Sequence, residues 1–94
     1  MTAIIIFTRE STHDQSELDL YQSQVQQTFD GHLVKRLAAG TPQILEGPVT
    51  ERTVVLQFPT KEAALQWYES SAYEAAKQHR FKGATYRVAL IEGV

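Results

Sequence analysis

A carboxylate, two guanidinium groups and three large aromatic rings fall between positions 46 and 80: Glu46, Arg52, Arg80, Trp67, Tyr68 and Tyr73, with His79 beside Arg80. These types suit a small-molecule cleft. A glutamate whose pKa is raised by burial can move a proton, and an arginine can hold an anionic group by a two-pronged hydrogen bond. Indole and phenol rings supply a stacking wall. Arg80 can reach back along its helix face towards Tyr73, so that the pair grips a carboxylate. His32 is a second acid–base candidate. Each residue also has a structural use. Glu46 beside Gly47 can shape a turn or pair with Arg52, Trp67 and Tyr68 can be core aromatics with satisfied polar tips, and His79-Arg80 suits the negative end of a helix dipole.

Other chemistries find little support. His13, His32 and His79 lack close ligand spacing and there is no cysteine, so no metal site is expected. No Ser-His-Asp or phosphate-loop motif is present. The basic run HRFK at 79–82 is too short for a nucleic-acid stripe, and a net charge of -2 gives no general pull towards nucleic acid or anionic lipid. The N-terminal MTAIIIF is too short for a membrane span and has no basic leader. A cytoplasmic protein without a cofactor is the resulting expectation.

The elements that must position the candidates can be read from periodicity. With 94 residues, 43% hydrophobic and 21% charged, the chain makes one globular domain spanning 1–94. Ala3 to Phe7 is almost continuously apolar, which for so short a run predicts a strand covered on both faces. A polar loop, Thr8 to His13, follows. Asp14 with Glu17 has capping-box spacing and opens a helix whose stripe is Leu18, Tyr21, Val25 and Phe29. Leu20 falls off that stripe. Asp30-Gly31 ends the helix, and His32 to Ala38 forms a second strand whose Lys35 and Arg36 suit a sheet edge. The connection from Ala39 to Thr50 carries Gly40, Pro42, Gly47 and Pro48, with a few extended residues expected at Gln43 to Leu45. Thr53 to Phe58 has apolar residues on both faces and is a central strand. Pro59 stops it, Thr60 caps a helix bearing Ala63, Ala64, Trp67 and Tyr68, and Ser71 with Glu74 starts a second short helix ending at His79-Arg80. Phe81 to Gly83 turns into a last strand, Thr85 to Ile91.

The order βαββα(α)β predicts a ferredoxin-like α+β fold: a four-stranded antiparallel sheet, strands 1 and 3 central, helices on one face. Helices on one face cannot cover both apolar surfaces of the sheet. A homodimer with the sheets facing each other is therefore expected. An RNA-binding use of that face would need stacking aromatics on the third strand, which has Val and Thr instead.

The run from Leu45-Glu46-Gly47 and Arg52 through VVLQFP, Ala63-Ala64, Trp67-Tyr68, Ser70 and Tyr73 to HRFKGATYR at 79–87 resembles the domain of unknown function 1330 family. The likeness extends from the first strand to Ile91-Glu92-Gly93. It implies a dimeric α/β barrel and imports no reaction. Two departures concern the wall near strand 2: His32-Leu33-Val34 stands where members commonly carry a glycine pair, and Val49 where many have a Trp. The functional expectation is a homodimer binding a small anionic or aromatic molecule between sheet and helices. Arg52, Trp67, Tyr68, Tyr73, His79 and Arg80 would line the cleft, and Glu46 or His32 would serve cofactor-independent acid–base chemistry. The alternative is a non-catalytic sensor or assembly module.

Overall fold

Alternating burial along Ala3, Ile5 and Phe7 sets the inner face of the first strand in a computed structural model that describes residues 1–94. The elements are β1 (Ala3–Thr12), α1 (Gln15–Val25) with a 3-10 turn at Gln26–Phe29, β2 (Lys35–Gly40), β3 (Arg52–Phe58), α2 (Lys61–Tyr68), α3 (Ser71–Gly83) and β4 (Ala84–Glu92). The strands form one antiparallel sheet in the order β2-β3-β1-β4. The α+β ferredoxin-like arrangement is thus present, with the two most apolar strands central and β2 at an edge. The slab is only 15 Å thick across its Cα atoms, one sheet and one helical layer.

Several boundaries differ from the sequence expectation. The segment read as a polar loop, Thr8 to His13, is strand as far as Thr12, because β4 supplies partners for its backbone past a bulge between Arg9 and Ser11. Its polar side chains are held by Glu51, whose carboxylate accepts from the Arg9 Nε at 3.0 Å and from the Thr12 hydroxyl. Those hydrogen bonds, the Thr12 hydroxyl first and the Arg9 guanidinium after it, keep the Glu51 pKa below its ordinary value. β2 starts at Lys35 rather than His32, since the His32 amide donates to the Phe29 carbonyl in the turn that closes the 3-10 segment. No extended residues form a strand at Gln43 to Leu45.

Helix starts follow the capping logic, with two shifts. Asp14 caps α1 through the amides of Ser16 and Glu17, and the Ser16 side chain does most to hold the Asp14 pKa down. The reciprocal half of the capping box is absent because the Asp14 amide donates to the Gly83 carbonyl at 3.0 Å, while Glu17 turns to His79. Thr60 caps α2 by accepting from the Ala63 amide. Ser70, not Ser71, caps α3, its hydroxyl accepting from the Tyr73 amide. α3 is also no short helix: it continues through the expected turn at Phe81 to Gly83 for 13 residues. Glycine at 83 permits a close approach, since a Cβ there would sit tightly at 3.0 Å from the Leu18 backbone nitrogen and 3.1 Å from the Asp14 carbonyl oxygen.

The core lies between the sheet and the helices. Trp67 is its centre, fully buried, with its ring 4.2 Å from Tyr73, 5.5 Å from Phe58 and 5.2 Å from Phe29, on which it stacks. Removing so large a buried ring would cost about 3–5 kcal/mol. The opposite sheet face has no helix. Ile6 there pairs across to Val55 on one side and Ala89 on the other, and Ile4 pairs with Gln57 and Ile91. Leu20 is exposed on α1.

Candidate functional site

Helix stripe and strand alternation leave a partly open cleft between the two layers, with a volume of about 320 Å³. Its floor is the inner face of the sheet, Phe7, Val54 and Leu56, with Arg52 at the start of β3 and Arg36 and Ala39 from the edge strand. Its roof is α1 and the 3-10 turn, which bring Tyr21, Gln22, Val25, Gln26 and Phe29 over the sheet. Trp67 and Tyr86 close it. The space is therefore aromatic and aliphatic, with amides along one helical edge and two guanidinium groups.

Those guanidinium groups decide its electrostatics. The ion pairs of the chain are Arg9–Glu51, Lys77–Glu74, His79–Glu17 and Arg87–Glu10, so neither Arg36 nor Arg52 has a carboxylate partner. No acid lines the cavity either. Arg36 lies opposite Leu56 in the β2–β3 register, which turns it to the helix side of the edge strand. Two cations therefore stand beside stacked rings with no anion among them.

The candidates read from the sequence are dispersed relative to this cavity. Arg52 and Trp67 line it. Tyr73 lies directly behind Trp67, and its hydroxyl is 2.8 Å from that of Tyr21, a lining residue. Tyr68 and Arg80 form a further layer, with the guanidinium Nη2 donating to the Tyr68 hydroxyl at 3.4 Å. His79 faces α1, its Nδ1 2.6 Å from the Glu17 carboxylate. His32 is half-buried in the turn before β2, and Glu46 is exposed in the β2–β3 connection; neither lines the cavity, and Glu46 makes no ion pair with Arg52. The three histidines join no cluster of metal-ligating side chains.

Arg36, Gln22, Gln26, Tyr21 and Tyr86 are lining residues that the sequence reading did not assign to a site. Spacing carried part of the signal. Gln22 and Gln26 follow the buried Leu18 at intervals of one helical turn, and Tyr86 shares strand parity with Val88 and Leu90, which pack on the core.

Burial raises both interior phenols. The Tyr21 pKa is pushed well above its ordinary value by burial first and by Tyr73 second. Tyr73 is pushed up to about 12 by burial, against the opposing charge of Arg80. Both are neutral hydrogen-bond donors at physiological pH.

Residues 2–94 match the profile of the family described as Domain of unknown function (DUF1330). The chain belongs to that family. Among solved structures, this DUF1330 chain is similar to the RPA0582 protein of unknown function from Rhodopseudomonas palustris, with a TM-score of 0.77 and 15% identity over 99% of this chain and 82% of the other. It also resembles a dimeric ferredoxin-like protein of unknown function from Thermobifida fusca, at a TM-score of 0.69 and 10% identity over 99% and 92% of the two chains. SnoaB, a cofactor-independent oxygenase from Streptomyces nogalater, gives a TM-score of 0.61 and 10% identity over 99% and 91%. At such identities the likeness establishes the fold alone. No curated protein matches the DUF1330 chain. No helix in it is long and apolar enough to cross a membrane.

Proposed function

We propose that this DUF1330 protein is a homodimer, joined through its helix-free sheet faces, that binds a small aromatic anion in the cavity of each subunit. One observation carries the binding reading: the exposed Arg36 and the half-buried Arg52 border an aromatic-walled space with no carboxylate to neutralise them. A guanidinium left without a counter-ion beside a partly desolvated cavity favours a carboxylate by a charge-assisted hydrogen bond. Phe29 and Tyr86, half-buried in the wall, offer ring surface to a planar guest, with Trp67 stacked behind Phe29. The Thermobifida fusca relative is described as dimeric, which together with the apolar run Ile4, Ile6, Val55 and Ile91 supports the assembly. The proposal assigns no proton transfer to Glu46 or His32, since neither reaches the cavity wall.

Trp67, the sole tryptophan, makes the test direct. Its fluorescence is followed while benzoate, salicylate, 4-nitrobenzoate and neutral benzamide are titrated into the dimer. Carboxylates should quench saturably and benzamide weakly, and R36A and R52A should each lose about tenfold in affinity, on the order of one charge-assisted hydrogen bond, with little change in melting temperature. Equal binding of benzamide and benzoate sinks the anionic reading. A large stability loss in R52A with no effect on any probe would favour the assembly module instead.

A further inference from the structure

Behind the cavity lies a cation that the protein leaves almost bare. Arg80 is 2% exposed, its Nε has no hydrogen-bond partner, its Nη2 makes a long contact to the Tyr68 hydroxyl at 3.4 Å, and the Tyr73 hydroxyl is its other polar neighbour. The nearby carboxylates on its own helix layer are taken, Glu74 by Lys77 and Glu17 by His79. Rings surround the guanidinium: its central carbon is 5.0 Å from the centroid of Phe81, 5.0 Å from that of Tyr86 and 5.9 Å from that of Phe7. A buried charge with so few partners is costly unless something supplies them.

The chain has four tyrosines, and all of them gather here. Tyr68 accepts from Arg80, Tyr86 lies beneath its guanidinium, and Tyr73 feels its charge and is 2.8 Å from Tyr21. These phenols come from α2, β4, α3 and α1, the elements packed around the cation. Lys77, the other buried cation of α3, sits over the Tyr68 ring at 3.9 Å but is paired with Glu74. Tyr21 and Tyr73 offer Arg80 no negative charge, because burial holds both in the neutral form. Tyr21, Tyr86 and Phe7 are also walls of the cavity. The cation is thus one ring removed from the space a ligand would fill, and two of the phenols stand in its wall.

We infer that Arg80 and the four tyrosines around it form an interior subsite for an anionic oxygen, the phenolate or enolate of a hydroxyaromatic ligand seated in the cavity. The phenol hydroxyls of Tyr21 and Tyr86 donate to that oxygen, and the guanidinium behind them supplies a positive potential that favours its charge. On ionisation the ligand hydroxyl loses its proton to solvent and the O–H bond electrons stay on oxygen. The inference rests on the cavity proposed above and names the second polar group of its ligand. Arg36 and Arg52 take a carboxylate at one end, and the tyrosine cluster takes the ionised hydroxyl at the other.

The probe is 4-nitrophenol, whose phenol and phenolate absorb at different wavelengths, with 4-nitrobenzoate as the carboxylate-only control. Bound 4-nitrophenol should ionise at least one pH unit lower than the free probe, a tenfold or greater preference for the phenolate. The shift should be lost in R80M and in Y86F. Y86F keeps the ring and guards against a folding defect in R80M. If 4-nitrobenzoate binds with the expected dependence on Arg36 and Arg52 while 4-nitrophenol fails to bind, or ionises as it does free, the subsite is overturned and the cavity proposal stands. If neither probe binds, both readings fall.

Discussion

The indole Nε1 of Trp67 donates to the hydroxyl of Thr28 at 3.0 Å, and that hydroxyl donates in turn to the Val25 carbonyl at 2.6 Å. The two residues come from α2 and from the 3-10 turn after α1, so this short chain of bonds ties the roof of the cavity to its back wall. It also fixes the neighbouring Phe29 ring, stacked 5.2 Å from Trp67. Thr28→Val keeps the shape but leaves the indole N–H buried without an acceptor. A loss of about 1–3 kcal/mol in urea unfolding is expected, together with weaker quenching of Trp67 by benzoate. An unfolding midpoint equal to that of the parent protein would mean the roof is held by ring packing alone.

Gly83 makes a second joint. Its carbonyl accepts from the amides of His13 at 2.7 Å and Asp14 at 3.0 Å, where the end of α3 meets the start of α1. Gly83→Ala would press a Cβ on the Leu18 and Asp14 backbones, and backbone has little freedom to retreat. Thermal unfolding should report a destabilisation of about 1–3 kcal/mol, the usual range for overpacking. Gly31→Ala meets no atom within 4 Å, yet its φ of 80° is left-handed. The smaller loss expected there, about 1 kcal/mol, separates strain from collision. Equal behaviour of the two variants would contradict the close approach at 83.

The fold was legible because local patterns agreed with one another. Two strands apolar on both faces had to be central, charged Lys35 and Arg36 went to an edge, and Thr60 and Asp14 announced their helices. The misplaced boundaries share a cause. Thr8 to Thr12 read as loop because nothing nearby shows that Glu51, from a distant connection, will partner its polar side chains. Phe81-Lys82-Gly83 read as a turn because glycine after a basic residue commonly ends a helix, whereas here it lets α3 pass close to α1. The site was less legible than the fold. Arg52 and Trp67 reach the cavity, but Arg36 was read as an edge charge, and its inward direction depends on its pairing with Leu56, a register no single strand reveals. The Arg80 cluster draws its tyrosines from four elements, a convergence that only tertiary packing discloses.

Assembly has its own test at the middle of the sheet. Ile6 is flanked by Val55 and Ala89 across the two ladders of β1, on the face without helices. If two copies meet there, a lysine at either Ile6 or Val55 buries a charge against an apolar surface, and I6K or V55K should halve the mass measured by light scattering at micromolar concentration. The cavity lies on the other side of the sheet, so Trp67 emission in these variants should stay that of a buried indole. A parent protein already of monomer mass would refute the facing sheets. A mass unchanged in both variants would move the interface elsewhere.

Alkaline unfolding probes the phenol pair. Tyr73 ionises near 12 in the folded chain and Tyr21 also well above its ordinary value of 10.0, both chiefly through burial. The folded state therefore favours their neutral form. That contribution is complete below pH 10, where the unfolded phenols are protonated too, and it drains away as pH rises from 10 towards 12. For Tyr73 alone the loss is on the order of 2 kcal/mol. Tyr73→Phe removes the ionisable group, so its urea midpoint should be lower at pH 8 through the lost hydrogen bond to Tyr21 but should fall less steeply above pH 10. Asp14 and Glu51 act at the other end of the scale. Their pKa values are lowered in the folded chain, so what they contribute is present above the unfolded carboxylate range near pH 4 and is lost as pH falls through the folded values. A slope above pH 10 that is the same in the parent and in Tyr73→Phe would show that burial does not hold Tyr73 against ionisation in the folded chain.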